Sequence, residues 1–309
     1  MTDYALVLIA PPGSNALRKT VVEHFFLELP DARKSAPRWL APREAWDVML
    51  RAETPPEVAM LRKVIALIIE RAIGDAPIDV CLVPAAHRRK SLLIADMDST
   101  IIQQECIDEI ADVLGIKPKI AAITERAMRG ELPFEAALKE RLGLLAGITE
   151  QQLQQVYDTR IQLMPGAKTL VATMKAHGAF TALVSGGFTF FTDRIAERVG
   201  FDTHRSNTLG IAHGKMTGAI VGPILGKEAK LAALQEFAAA KGIDNSATLA
   251  VGDGANDLDM IKAAGLGVAY RAKPVVAAEA HASVAHGDLT ALLYLQGYAK
   301  SEFVVAPSA

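Results

Sequence analysis

Ser91-Leu92-Leu93-Ile94-Ala95-Asp96-Met97-Asp98-Ser99-Thr100 is the stretch that decides the fold. Its apolar run does not alternate with polar residues, as expected of a strand buried on both faces of a parallel sheet. Ligands of open α/β sheets bind beyond the carboxyl ends of the strands, so Asp96 and Asp98 are expected to project into a crevice. Downstream, Thr181–Ser185, Ala247–Val251 and Gly267–Ala269 read as further strands. Helices are expected near Phe190–Val199, Lys227–Lys241 and Asp257–Ala264. This β/α alternation predicts an α/β fold, a doubly wound parallel sheet occupying residues 87–309. From Glu105 to about Leu163 the pattern is helical without strands, which predicts an inserted helical cap over residues 105–163.

Upstream the order is different. Tyr4–Ile9, a helix from Ser14 to Leu29, runs near Ser35–Leu40 and Ala45–Leu50, a helix Pro56–Arg71 and Ile78–Val83 give β-α-β-β-α-β. That order predicts a separate ferredoxin-like α+β domain over residues 1–86, with two helices on one face of a four-stranded antiparallel sheet. It resembles the small regulatory ACT domains, whose glycine-containing ligand turn is matched only loosely by Pro12-Gly13-Ser14-Asn15. One reading of the domain is serine binding; the plainer one is packing or pairing of two chains as a homodimer. His87-Arg88-Arg89-Lys90 reads as a basic hinge, and the residues after Tyr298 as a loose tail.

A carboxylate at a strand end can attack phosphorus, and the acyl phosphate it forms is labile enough for a second, hydrolytic step. Asp96 is placed as that nucleophile. In an extended segment Asp98 points the same way and can protonate the departing alkoxide, then deprotonate water, as general acid and base. Two neighbouring carboxylates repel each other and an incoming phosphate, so a divalent cation is required, and Mg2+ suits hard oxygen ligands. Asp253, in Val251-Gly252-Asp253-Gly254-Ala255-Asn256-Asp257, completes its site after another apolar strand. Asn256 and Asp257 open a helix whose N-terminus favours anions. Ser185 and Gly186, in Val184-Ser185-Gly186-Gly187, offer a hydroxyl and backbone donors for phosphate oxygens. Lys230, following Gly226, can neutralise charge on phosphate and Asp96. Alone, Asp-x-Asp is a loop or cap, Gly-Asp-Gly a turn, Ser-Gly-Gly a tight connection and a helical lysine a solvated residue. Their joint order, three of them at strand ends, is what carries the reading.

With these motifs in place, residues from about Ser91 to Leu295 resemble the haloacid dehalogenase-like phosphohydrolases, and among them the phosphoserine phosphatases. Thr100 matches the phosphatase form Asp-x-Asp-x-Thr, and Asp98 argues against dehalogenation. The resemblance implies metal ligation by the side chains of Asp96 and Asp253 and the main-chain carbonyl of Asp98, with Asp257 in support. It also places Lys230, Ser185, Gly186 and Asn256 at phosphate and substrate contacts. The substrate it implies is O-phosphoserine, hydrolysed in the last step of serine biosynthesis. Glu105 can pair with the substrate ammonium and Arg141 fork onto its carboxylate, while Phe134 shields the site and Met128 flanks it. Each also has a plain reading: Glu105 as a helix-face charge, Arg141 as a partner of Glu140 or Glu135, Phe134 as cap core.

Composition excludes other classes. A net charge of -2 with 22% charged residues shows no polybasic excess for nucleic acid or anionic lipid. The two cysteines, Cys81 and Cys106, make no metal-binding spacing and fit a reducing compartment. Asp3 and Pro11-Pro12-Gly13 break the first apolar run, and no run approaches the roughly 20 residues of a membrane span, so a cytoplasmic enzyme is expected. The alternatives are a related phosphatase or phosphotransferase acting on another small phosphomonoester, a phospho-acceptor switch, which would need neither Asp98 nor a cap, and an amino-acid sensor.

Overall fold

The computed structural model describes residues 2–30, 34–52, 54–129 and 131–305. Its first unit contains β1 (Thr2–Ile9), α1 (Lys19–Glu28), β2 (Arg38–Ala41), β3 (Ala45–Ala52), α2 (Pro55–Ile68) and β4 (Asp79–Pro84). The strands form an antiparallel sheet in the order β2-β3-β1-β4, as the β-α-β-β-α-β pattern predicts. α1 starts later than expected. Ser14 Oγ accepts the N–H of Ala16 and Asn15 Nδ2 donates to Gly13 O, local bonds that compete with a first helical turn.

The period of two along β1 divides this sheet between two cores. Leu6 and Leu8 pack with Phe25, Leu61 and Ile65 beneath the helices. Ala5, Val7 and Ile9, with Cys81 and Val83 of β4, join the core of the larger unit. Polar groups secure the same contact. Asp79 accepts main-chain N–H bonds from Ala285, His286 and Gly287, and Tyr294 donates its hydroxyl hydrogen to Glu44. Arg88 pairs with Asp47 at 2.6 Å and donates to the carbonyls of Tyr294 and Leu295. The basic run at 87–90 is therefore partly a buried anchor, since Lys90 is also buried.

The larger sheet has the order β11-β10-β9-β5-β6-β7-β8. Its strands are β5 (Leu92–Ala95), β6 (Phe180–Phe188), β7 (Thr203–Ala212), β8 (Lys215–Val221), β9 (Thr248–Gly252), β10 (Leu266–Tyr270) and β11 (Ala282–Val284). All neighbours are parallel except β7 and β8, so the expected doubly wound parallel sheet carries one antiparallel strand at its edge. The cause is local: His213 and Gly214, both at positive φ, form the two-residue turn that returns a strand antiparallel. Four helices fill the expected cap: α3 (Cys106–Val113), α4 (Lys117–Met128), α5 (Phe134–Leu144) and α6 (Glu150–Arg160). The β7–β8 hairpin supports them, with Gly147 donating to Met216 O at 2.8 Å and Met216 to Ile148 O at 2.7 Å.

α7 (Ala167–Ala176), α8 (Thr189–Val199), α9 (Lys227–Lys241), α10 (Leu258–Ala263), α11 (Pro274–Glu279) and α12 (Ala291–Leu295) complete the chain. The segment after Tyr298 is not loose as far as Val304. Phe303 stacks on Tyr294, Glu302 pairs with Arg89, and Val304 donates to the Thr173 hydroxyl.

Candidate active site

β5, β6 and β9 run side by side, and the catalytic candidates emerge from their carboxyl ends. Asp96 directly follows β5; its N–H donates to Val251 O and its own carboxylate accepts the Met97 N–H at 2.8 Å. Beyond it the chain reverses through Ser99, a non-glycine residue at φ 55. Such a backbone costs on the order of 1–2 kcal/mol and must be held by its surroundings. Here the Ser99 N–H bonds to Gln104 O and its hydroxyl donates to Glu105 Oε1 at 2.7 Å. The reversal thus brings Glu105, the residue before α3, back beside the Asp-x-Asp segment.

Asp96, Asp253 and Asp257 offer carboxylate oxygens within 4.8 Å of one another. Lys230 Nζ lies 2.7 Å from Asp96 Oδ1 and 2.6 Å from Asp257 Oδ1. Asp257 also accepts the Gly254 N–H, and Thr100 donates to Asp253 at 3.2 Å. A side chain at position 252 would collide with Asp257, its Cβ 2.4 Å from Cγ, so glycine is what admits this carboxylate.

Burial is the first cause of the site's electrostatics. It raises Asp96 well above the carboxylate range, with Asp257 adding to the effect and Lys230 opposing it. Asp253 is pushed up to about 6 by burial, Asp257 and Glu105. Asp98 is pushed up to about 7 by burial and then Glu105, against a hydrogen bond from Cys106. Its carboxylate accepts the Cys106 N–H at 3.3 Å and stands apart from the three-aspartate cluster. Three carboxylates beside one buried lysine, with Asp98 nearby, form a net anionic pocket of hard oxygens, a donor set that fits a small divalent cation.

The other expected residues fall as follows. Ser185, buried in β6 just past its last regular pair with β7 at Val184, accepts the Gly187 N–H at 2.9 Å. A Cβ on Gly187 would sit 3.1 Å from Asp98 Oδ2, so the turn approaches the acid closely because it lacks side chains. Asn256 is exposed in the 3₁₀ turn Ala255–Asp257. Arg141, on α5, donates to Ala137 O and the Thr124 hydroxyl. Its plain reading does not hold, because Glu140 pairs with Arg126 and Glu135 with Lys139. Arg141 feels the charges of Asp108 and Glu105 instead. Phe134 is 45% exposed rather than cap core. Its ring lies 3.8 Å from where a Cβ would stand on Gly186 and on Gly226, so the cap touches both loops of the sheet unit. The Met128 side chain lies outside the described residues.

Two participants escaped the sequence reading. Ser99 holds Glu105, and a serine within Asp-Ser-Thr carries no signal of that contact. Asn207, on β7, bonds to Gly186 and Leu225. A polar residue within Thr203–Ala212 would have signalled it had this strand been recognised.

Comparison with known proteins gives one direction. The model of the haloacid dehalogenase-like hydrolase family matches residues 93–262. A phosphoserine phosphatase of Albidiferax ferrireducens is 50% identical over 209 residues, 66% of this chain and 88% of that protein. One of Streptomyces coelicolor is 45% identical over 231 residues, 74% of this chain but only 56% of that longer protein. The crystal structure of a probable phosphoserine phosphatase from Vibrio cholerae, unliganded, superposes with a TM-score of 0.74 at 32% identity, covering 97% of this chain and 88% of the other.

Proposed function

We propose, from the premise that this chain belongs to the haloacid dehalogenase-like hydrolases and among them to the phosphoserine phosphatases, that it hydrolyses O-phosphoserine to serine and phosphate. Asp96 attacks phosphorus in line, and the ester P–O bond breaks as the serine alkoxide takes a proton from Asp98. Asp98 then removes a proton from water, which attacks the aspartyl phosphate and frees Asp96. Lys230 balances charge on Asp96 and on the transferred group, and Ser185 and Gly186 grip its oxygens. Asp96, Asp253 and the main-chain carbonyl of Asp98, with Asp257 behind them, would hold Mg2+. When bound, the ion supplies the positive charge that lets a carboxylate meet a phosphate.

The observation that carries the substrate is the pairing of opposite charges at the cap: Glu105, held by Ser99, and Arg141, which has no carboxylate partner among the described residues. A zwitterionic amino-acid head matches that pair, ammonium to Glu105 and carboxylate to Arg141. Phe134 closes the cap over it, and Asn256 stands at the rim. The test is phosphate release from phosphoserine, phosphothreonine and sugar phosphates, each with magnesium and with chelator. Preference for phosphoserine with loss in chelator is expected; equal rates on sugar phosphates would overturn the substrate.

We divide the chain at 86/87 and assign the N-terminal unit a packing role, because one face of its sheet is spent on the main core. Serine binding there would appear as heat that persists when serine is titrated into the whole chain carrying Arg141→Ala, and pairing of two chains as doubled mass in solution. No helix among the described residues is long and apolar enough to cross a membrane. Together with two unpaired, buried cysteines this supports work in the cytoplasm.

A further inference from the structure

Asn207 is 1% exposed on β7. Asparagine is depleted in strands, and a buried amide costs free energy unless its groups are satisfied. All of its side-chain bonds go to two segments that reach the site from different elements. Nδ2 donates to Gly186 O at 2.9 Å and to Leu225 O at 3.3 Å, and Oδ1 accepts the Leu225 N–H at 2.7 Å. This pattern fixes the orientation of the amide, since a flip would set oxygen against two carbonyls and NH2 against an N–H.

The need for such a group lies in the sheet itself. β6 and β7 are paired up to Val184 and again at Phe188↔Asn207, with a register shift between. The Ser185–Gly187 segment therefore leaves the regular ladder, and the Asn207 side chain supplies the bond that Gly186 O would otherwise lack. On the other side, Leu225 precedes Gly226, the residue before α9, and one turn into that helix Lys230 reaches Asp96. Phe134 of the cap rests on the same two glycines.

We propose that Asn207 is a positioning residue for phosphoryl transfer: its amide sets the spacing between the Ser185–Gly186 turn and the start of α9, and so builds the floor on which Phe134 closes. It acts through these loops and touches no reacting atom. The proposal rests on the reading of Ser185 and Gly186 as the phosphate grip.

Asn207→Asp and Asn207→Ala test it, with turnover, competitive inhibition by inorganic phosphate, and thermal unfolding measured on each full-length variant. Asn207→Asp keeps the shape but sets an oxygen against two carbonyls, so it is expected to harm at least as much as Asn207→Ala. In both, kcat should fall and the phosphate inhibition constant rise by about tenfold or more, with melting still above the assay temperature. The inference is overturned if phosphate inhibition and kcat stay within about twofold of wild type. It is equally overturned if turnover falls only in proportion to the fraction folded while the phosphate constant is unchanged, or if the aspartate is clearly milder than the alanine. Should the alanine variant fail to fold, the near-isosteric aspartate carries the test. Wild-type enzyme that ignores phosphoserine would speak against the substrate alone; phosphate inhibition is then followed with p-nitrophenyl phosphate.

Discussion

Lys230 Nζ stands 2.7 Å from Asp96 Oδ1, both side chains withdrawn from solvent, with Asp257 2.6 Å away on the lysine's other side. In the proposed mechanism Lys230 offsets part of the repulsion between the Asp96 carboxylate and an incoming phosphate, and burial keeps that effect strong. Lys230→Met leaves the buried aspartates without their cation. We expect kcat for phosphate release to fall by about 10²-fold or more, comparable to loss of one preorganised electrostatic group. A loss below about fivefold would remove Lys230 from the chemistry.

Asp98 sits near neutrality because burial and Glu105 both disfavour its charged form. With Asp98 as the proposed general acid, which must be protonated to serve the leaving group, kcat/KM should decline as pH rises through about 7. Glu105→Gln removes a charge that raises Asp98, and the declining limb should move to lower pH. A simple alkyl phosphate without an amine is the substrate for this comparison, so that lost ammonium binding does not intervene. An unmoved limb would assign it to another group.

Asp79 receives N–H groups from three successive residues, Ala285, His286 and Gly287, each at 2.8–3.2 Å. Asp79→Ala orphans buried donors across the contact between the two sheets. Urea unfolding should show a loss of about 3 kcal/mol, with the N-terminal unit opening first. An unchanged midpoint would mean that the apolar contact alone holds the unit in place.

Lys90 is buried with its ammonium 2.6 Å from Ser246 O, and burial lowers it from 10.5 to about 8. The unfolded chain binds this proton more tightly than the folded one, so the destabilisation is complete below pH 8 and fades as pH rises toward 10.5. Lys90→Met should therefore stabilise the protein at neutral pH by about 1 kcal/mol and give no such gain above pH 10.5. Chemical denaturation at pH 7 and pH 10.5 separates these cases; destabilisation at pH 7 would show that the Ser246 bond outweighs the burial cost.

The sequence by itself determined the strands that are continuously apolar and the motifs at their ends. Leu92–Ala95 and Thr248–Gly252 are buried on both faces, so their pattern has no competing interpretation, and Asp96 and Asp253 follow from where those strands stop. The helical cap and the β-α-β-β-α-β order were legible for the same reason, since periodicity is a local property of the chain. Edges and meetings were not. β8 takes its antiparallel course from a turn at His213-Gly214 and from the cap it supports, and its burial alternates weakly. Arg141 had plausible acidic neighbours along its helix; Lys139 takes Glu135 one turn away on the same helix, and only tertiary packing decided that Arg126 of α4 takes Glu140. Likewise the second face of the N-terminal sheet, the buried anchor at Arg88 and the amide of Asn207 depend on partners far away in sequence. The physical reason is shared by all of these. A residue's type sets which bonds it can make, but burial and the distances created by chain crossings decide which of them it makes.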